Sequence, residues 1–217
     1  MVLLFCRKLF YRTIYAEGPI SVPNLYSERD KHMNTTSKTR LLCEGGICIA
    51  LSLALSYLEI PIGLTFGGFG GSISFAMIPI IIFAVRAGLV WGIGAGFCFG
   101  ILKYFFAEGF AVSWVSILLD YSVAYAFVGF AGIFKGKYNQ LPLAALVGCF
   151  ARFIVHFASG ITVYAQYMPD VFMGMSMKSV SFYSILYNGS YMLPNTIVAI
   201  LVCFLLRGTA KKIFEGK

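Results

Sequence analysis

The chain has 217 residues, of which 59% are hydrophobic and only 12% are charged, with a formal net charge of +8 and a mean hydropathy of +0.82. A soluble domain is usually about half apolar and about a quarter charged. The composition therefore excludes an ordinary soluble globular domain and indicates an integral membrane protein. The six cysteines form no CxxC pair and have no histidine at ligand spacing, so they predict neither a disulfide nor a metal site.

Residues 1–38 stand apart from the apolar pattern that follows. Their apolar opening is too short for the core of a signal peptide and has no small-residue cleavage site. We expect a disordered cytoplasmic tail, or an upstream extension of a protein whose true start is Met33, since "MNTTSKTR" would be an ordinary short basic leader. Residues 39–217 are expected to form one transmembrane domain.

A helix needs about 20 predominantly apolar residues to cross a bilayer. The second of the predicted spans is short, so it either borrows residues from the glycine-rich stretch before it or is tilted and partly buried. The predicted fold class is an all-α membrane protein with six transmembrane helices, over residues 42–59, 72–85, 88–106, 112–134, 141–164 and 182–206.

Basic residues cluster at alternate ends of these spans, and loops rich in Lys and Arg stay on the cytoplasmic side. The opposite loops carry Glu59, Glu108 and Asp170 and a single lysine, Lys178. Both termini are therefore predicted to be cytoplasmic. The basic residues that set this orientation are Lys38, Arg40, Arg86, Lys135, Lys137, Arg207, Lys211, Lys212 and Lys217.

Small residues recur every fourth position in two of the spans, a spacing that allows close helix approach in lipid. In "GLVWGIGAGFCFG" they are Gly88, Gly92, Gly96 and Gly100, and we expect packing inside the monomer rather than an oligomer contact. Ala50 and Ala54 form a shorter stripe on the first span, for which internal packing is also the plain interpretation.

No motif for nucleotide binding is found. "TFGGFGG" lacks the Lys-Ser/Thr pair of a phosphate loop, and "GIFKGKY" lacks its spacing. The chain is thus not expected to hydrolyse ATP by that route.

Ionisable residues inside the spans indicate a functional site, because they are costly in lipid. Asp120, Arg152 and His156 lie deepest, whereas Lys103 is near the outer end of its span and is expected to reach water along its stem. Arg152 lies one turn from His156, and we expect it to be a structural partner of Asp120 or of helix-end carbonyls.

Counting residues from the outer end of each span places polar groups from three spans at one depth in the membrane. Asp120 and His156 are eight residues, and Asn188 six residues, from the outer ends of their spans, which places them roughly 9–12 Å below the outer surface. An aromatic pocket open to the outside is predicted, suited to a flat, nitrogen-rich, cationic ligand. The phenols at or above this level are Tyr121, Tyr164 and Tyr183.

Two other classes remain open on these grounds. An intramembrane enzyme could use His156 and Asp120 as an acid–base pair, although no serine or cysteine nucleophile is placed at their depth and no HExxH motif offers zinc. A stand-alone secondary transporter is the second, although no internal repeat is evident.

Five motifs follow one another from about Thr39 to the C-terminus: "TRLLCEGGICIALSLALSYLEI", "FAMIPIIIFAVRAGLVWGIGAGFCFGIL", "LLDYSVAYAFVGFAGIF", "ARFIVHFASG" and "SILYNGSYMLPN". In this order they resemble the thiamine-specific S-component of energy-coupling-factor (ECF) transporters. The resemblance implies six helices with both termini inside, in a bacterial plasma membrane. It also implies a thiamine receptor that works with an energising module of one transmembrane coupling protein and two ATPases.

The same resemblance implies roles for single residues. It places the family's AxxxA partner contact on Ala50 and Ala54. No catalytic residue, cofactor, metal or nucleic-acid partner is expected. A related ligand, such as the hydroxymethylpyrimidine half of thiamine, remains an alternative. The ligand-binding positions fall on Asp120, Tyr121, His156, Tyr164, Tyr183 and Asn188.

Overall fold

The computed structural model describes residues 25–61, 71–107 and 111–215, with side chains from residue 38 to residue 214. The chain divides into two units, Met1–Arg40 and Leu41–Lys217. Of the first unit, the described residues belong to the beginning of one helix. The expectations for residues 1–24, and with them most of the expected tail, lie outside the described residues, and the proposed start at Met33 stays a prediction.

Helices make up most of the described chain. Short 3₁₀ turns, Tyr138–Gln140 and Ala165–Tyr167, precede and follow the fifth helix. The helices are α1 (Leu25–Ser56), α2 (Met77–Ala87), α3 (Leu89–Phe106), α4 (Trp114–Phe134), α5 (Leu141–Thr162) and α6 (Val180–Glu215).

Five stretches of the described residues are long and apolar enough to cross a membrane. Their positions agree with the predicted first, third, fourth, fifth and sixth spans, because a run of this length can satisfy its backbone in lipid as a helix. The number of crossings and the side on which the termini lie stay predictions. The stretches are Lys38–Ser56, Leu89–Phe106, Trp114–Phe134, Tyr138–Thr162 and Val180–Phe214.

The predicted second span differs from the structure. It was expected to begin at residue 72, but α2 begins at Met77 and has only 11 residues. The preceding residues do not extend the helix, because Ser72–Ser74 form a strand. Most of α2 is buried in the protein core, with Ile80 and Ile81 fully enclosed, so protein and not lipid surrounds most of it.

The structure is mostly helical, as expected of the all-α class, but it also contains two short antiparallel ribbons that the sequence did not predict. Strand β1 (Glu59–Pro61) pairs with β2 (Ser72–Ser74), and β3 (Val171–Phe172) pairs with β4 (Met175–Ser176). Strands of two or three residues are too short to show a period of two in the sequence. The β3–β4 turn includes Gly174 at a φ of 75°.

One side chain of α6, that of Asn195, holds β2 in place. The buried amide of Asn195 accepts a hydrogen bond from the Ser74 N–H at 2.9 Å and donates one to the Ser72 carbonyl at 2.5 Å. The same amide group also donates to the carbonyl of Tyr191 in its own helix. The last helix thus fixes the strand that leads into α2.

The glycine face of α3 packs against α4, which confirms the expected packing inside the monomer. A Cβ atom on Gly96 would lie 2.1 Å from the carbonyl oxygen of Tyr125, and one on Gly100 would lie 2.3 Å from that of Tyr121. The same holds for Gly129 in α4, where an added Cβ atom would meet the backbone of Gly92. The two helix backbones therefore touch with no side chain between them.

This contact makes a testable difference between neighbouring glycines. We expect Gly96→Ala to destabilise the protein by about 1–3 kcal/mol through overpacking, because the methyl group would meet the backbone of α4. Gly94→Ala is the matched control, since no described atom lies within 4 Å of its added Cβ. Thermal unfolding of both purified variants in detergent measures the difference. Equal melting temperatures would show that α3 and α4 can move apart at no cost.

Candidate functional site

A cavity of about 720 Å³ lies between the helices and the first ribbon. Its wall takes residues from α1, β1, β2, α3, α4, α5 and α6, a wider set of elements than the three predicted spans. The structure brings together at this cavity all of the residues that the sequence places in a binding site: Asp120, Tyr121, His156, Tyr164, Tyr183 and Asn188. Their contact with a ligand remains a prediction.

Helix α4 is irregular where it meets the cavity. After a capping box between Ser113 and Ser116, residues Ile117–Val123 form a π-helix. A π segment has more residues per turn than an α-helix and often marks a functional site. Consecutive side chains are closer in angle around such a wide turn, and Asp120 and its neighbour Tyr121 both line the cavity.

A chain of three ionisable side chains crosses from α5 to α4. Arg152 Nε donates a hydrogen bond to His156 Nε2 at 3.2 Å, and His156 Nδ1 lies 3.2 Å from Asp120 Oδ1. The guanidinium of Arg152 also stacks on the ring of Tyr125, 4.1 Å from its centroid, and its Nη1 contacts the sulfur of Met77 at 3.0 Å. The described partners of Arg152 thus differ from the Asp120 carboxylate and helix-end carbonyls that we expected.

The second oxygen of the Asp120 carboxylate differs from the first in its hydrogen bonding. Oδ2 is buried and has no hydrogen-bond partner among the described residues. A buried carboxylate oxygen without a donor is costly, because the group has lost its hydration. The site therefore offers one strong acceptor to a ligand that brings its own N–H or O–H group.

Asn188 joins α6 to α5 beside the hydrogen-bonded side chains of Arg152, His156 and Asp120. Its amide nitrogen donates to the carbonyl oxygens of His156 at 3.3 Å and Ser184 at 2.9 Å. Its amide oxygen accepts a hydrogen bond of 2.7 Å from the hydroxyl of Tyr191. The orientation of the Asn188 side chain is thus set from both ends.

Aromatic rings form a ladder along α6. Tyr183 and Tyr187 are stacked with centroids 5.8 Å apart, and Tyr187 and Tyr191 meet edge-on at 5.9 Å. Phe172 of β3 packs on Tyr183 at 5.3 Å. Tyr187 and Tyr191 were not among the predicted cavity residues, although their spacing of four from Tyr183 places all three on one helix face.

Tyr164 lies two residues beyond the end of α5 and lines the same cavity. Burial and, to a smaller extent, the nearby Asp120 carboxylate raise the pKa of its hydroxyl to about 12. The hydroxyl therefore keeps its proton at neutral pH and can act as a hydrogen-bond donor.

An ion pair closes another part of the cavity wall. Lys103 Nζ lies 2.7 Å from Glu59 Oε2, which ties α3 to β1. Lys103 is buried, so the expectation that it reaches water is wrong; the carboxylate of Glu59 takes the place of solvent. Nearby, the hydroxyl of Tyr57 donates to the carbonyl of Phe106.

The donor atoms do not resemble a metal centre. Within residues 25–61, 71–107 and 111–215, no group of three or more His, Cys, Asp or Glu side chains is arranged to hold an ion.

Fold and cavity together define a class of protein: a multi-pass membrane protein that encloses a cavity of ligand size between its helices. The family model described as thiamine transporter protein matches residues 42–215. The chain belongs to this thiamine transporter family, and its function is accordingly transport and not catalysis. The intramembrane enzyme considered from the sequence is thereby set aside.

Single relatives agree with the family. The chain is 31% identical to the thiamine transporter ThiT of Bacillus subtilis (strain 168) over 160 residues, which cover 68% of this chain and 80% of that protein. It is 25% identical to ThiT of Lacticaseibacillus paracasei (strain ATCC 334) over 193 residues, covering 82% and 91% of the two chains. The solved structure of ThiT from Listeria monocytogenes has the same fold, with a TM-score of 0.69 at 24% identity, over 82% of this chain and 98% of that one.

Proposed function

We propose that this protein is the high-affinity thiamine-binding subunit of an ECF-type vitamin importer in the bacterial plasma membrane. It crosses the membrane six times with both termini in the cytoplasm, takes thiamine from the outside and delivers it with an ATP-driven energising module. The observation that carries the proposal is the cavity, in which the Asp120 carboxylate, with one oxygen that has no partner among the described residues, lies among tyrosines of two helices.

The chemistry of the wall suits this ligand. Thiamine joins an aminopyrimidine, which carries N–H donors, to a thiazolium ring with a permanent positive charge. The Asp120 carboxylate can accept from an amino group and offset the cation, while the faces of Tyr183, Tyr187 and Tyr191 attract a cationic ring. Tyr164 and Asn188 add polar contacts that can orient the rings.

The energy for uptake is expected to come from partner proteins, since the sequence contains no phosphate-loop motif. A docking surface for such partners is available on α1. Ala50 and Ala54 are both exposed, and Gly46, one turn earlier, has no described atom within 4 Å of an added Cβ. Small exposed residues at this spacing let a partner helix come close in lipid, which supports a partner contact over internal packing.

The first expectation concerns the ligand. The purified chain should bind thiamine with a Kd below 1 µM, which corresponds to more than about 8 kcal/mol, because a scavenging receptor works at scarce vitamin levels. Titration of intrinsic fluorescence with thiamine, its phosphates, hydroxymethylpyrimidine, riboflavin and biotin measures this. Binding of riboflavin or biotin as tight as that of thiamine would overturn the assignment, and tighter binding of hydroxymethylpyrimidine would identify the precursor as the ligand.

The second expectation concerns charge. Asp120→Asn should weaken thiamine binding by roughly 2–5 kcal/mol, the usual loss when one partner of a buried charged hydrogen bond is removed. Asp170→Asn is the matched control, since Asp170 is exposed and does not line the cavity. Isothermal titration of both folded variants gives the comparison. Unchanged affinity in Asp120→Asn would return Asp120 to a structural role.

The third expectation separates binding from uptake. Ala50→Trp combined with Ala54→Trp should abolish thiamine uptake in cells and leave binding to the purified chain nearly intact, because the bulky rings hold partner helices away from α1. Ile197→Trp combined with Leu201→Trp places two equally bulky residues on exposed positions of α6 and should do neither. Normal uptake by the alanine variant would exclude this face from the interface, and lost binding would mean that the alanines pack inside the monomer.

A further inference from the structure

Arg152 lines the cavity, yet its described hydrogen bonds are made to other protein groups. Its guanidinium is held from two sides, by the ring of Tyr125 and the sulfur of Met77, and its Nε points at the ring of His156. Arg152 and His156 are both buried, with 9% and 7% of their surfaces exposed. The contact between them is therefore largely enclosed by protein, at the wall of the cavity.

This contact decides where the imidazole proton lies. A guanidinium has donors only, so the Nε2 atom that receives the Arg152 hydrogen bond must carry a lone pair. In a neutral imidazole the proton is then on Nδ1, which faces Asp120 Oδ1 at 3.2 Å and can donate to it.

The other protonation states fit poorly. A proton on Nε2 alone would oppose the N–H of Arg152, and the lone pair of Nδ1 would oppose the Asp120 carboxylate. A doubly protonated ring would put a second cation against the guanidinium. Only the neutral ring with its proton on Nδ1 makes two attractive contacts at once.

We propose that Arg152 is a positioning residue that sets the tautomer of His156 and, through it, the orientation of the Asp120 carboxylate. Oδ1 is occupied by the imidazole N–H, and the buried Oδ2 is left as the acceptor that faces the ligand. Both nitrogens of His156 are used by the protein, so hydrogen bonding to the ligand falls to Asp120 and not to the imidazole. The ligand part of this inference rests on the proposed function.

The tautomer can be measured without any ligand. The chain has two histidines, and a His32→Gln background leaves His156 as the single imidazole. Nitrogen-15 NMR of histidine-labelled protein in detergent distinguishes a protonated from an unprotonated ring nitrogen. We expect a protonated Nδ1 and an unprotonated Nε2 in this background. An imidazole protonated on Nε2 there would overturn the proposal before any Arg152 variant is made.

Two substitutions separate the hydrogen-bond donors of Arg152 from the packing of its side chain. Arg152→Met keeps an apolar side chain against Tyr125 but has no donor, so the Nδ1-protonated form should lose its preference. Arg152→Lys keeps a cation and N–H donors and should restore it. Melting temperatures in detergent show that both variants are folded. A residue that served only for packing would leave the tautomer of Arg152→Met unchanged, and that result would overturn the proposal.

Thiamine titration of the same proteins tests the consequence for the ligand. Arg152→Met should bind about tenfold more weakly, the effect of a poorly oriented buried acceptor, and Arg152→Lys should stay within about threefold of the parent. Equal affinity of Arg152→Met and the parent would overturn the role of Arg152 in binding. If the parent itself binds no thiamine, the proposed function fails, while the NMR result still decides whether Arg152 sets the tautomer.

Discussion

A carboxylate placed among transmembrane helices is stable only when neighbouring groups offset its charge and fill its lone pairs. The site depends on this constraint at Asp120. One oxygen faces His156, which is itself fixed by Arg152, and the other is buried without a partner among the described residues. Among the described residues, half of this requirement is thus met. If the proposed ligand binds here, its N–H donor and positive charge would complete it, and affinity and selectivity would then have the same physical source.

The backbone geometry that presents this carboxylate depends on glycine. Because Gly96 and Gly100 have no side chains, α3 lies directly against the carbonyls of Tyr125 and Tyr121. This contact covers the part of α4 in which the π-helix Ile117–Val123 runs. A widened turn is less stable than a regular α-helix by itself, so packing from a flat neighbouring helix helps to hold it. The geometry of this cavity wall thus depends on α3 as much as on α4.

Much of the site could be predicted because a helix has a fixed rise per residue. Counting from span ends placed Asp120, His156 and Asn188 at one level, and the structure brings them to one cavity. Rotation about the helix axis is not given by such counting, so the hydrogen bond from Arg152 to His156 was not foreseen. The π segment adds to this difficulty, since it changes which faces its residues present.

Other features were missed because their signals are weak or lie elsewhere in the chain. Lys103 looked free to reach water because its partner, Glu59, lies 44 residues away and on a strand too short to recognise. The β1–β2 ribbon and the start of α2 at Met77, later than predicted, were missed for the same reason: strands of three residues leave no recognisable pattern in the sequence. Tyr187 and Tyr191 carried a usable signal, their spacing of four from Tyr183, but the period along this helix was not used and only Tyr183 and Asn188 were selected there.

The short helix α2 has a consequence for how the chain assembles in a membrane. Its 11 residues rise only about 16 Å, roughly half of the hydrocarbon thickness. The backbone before it is not helical and must find hydrogen-bond partners inside the protein. The Ala76 N–H donates to Ser74 Oγ, and Ser74 N and Ser72 O bind the side chain of Asn195, 121 and 123 residues further along the chain. This part of the fold cannot be completed by inserting stable helices one after another and then packing them. The hydrogen bonds between β2 and Asn195 can form only once α6 is present, so we expect this part of the fold to be completed after the last helix has entered the membrane.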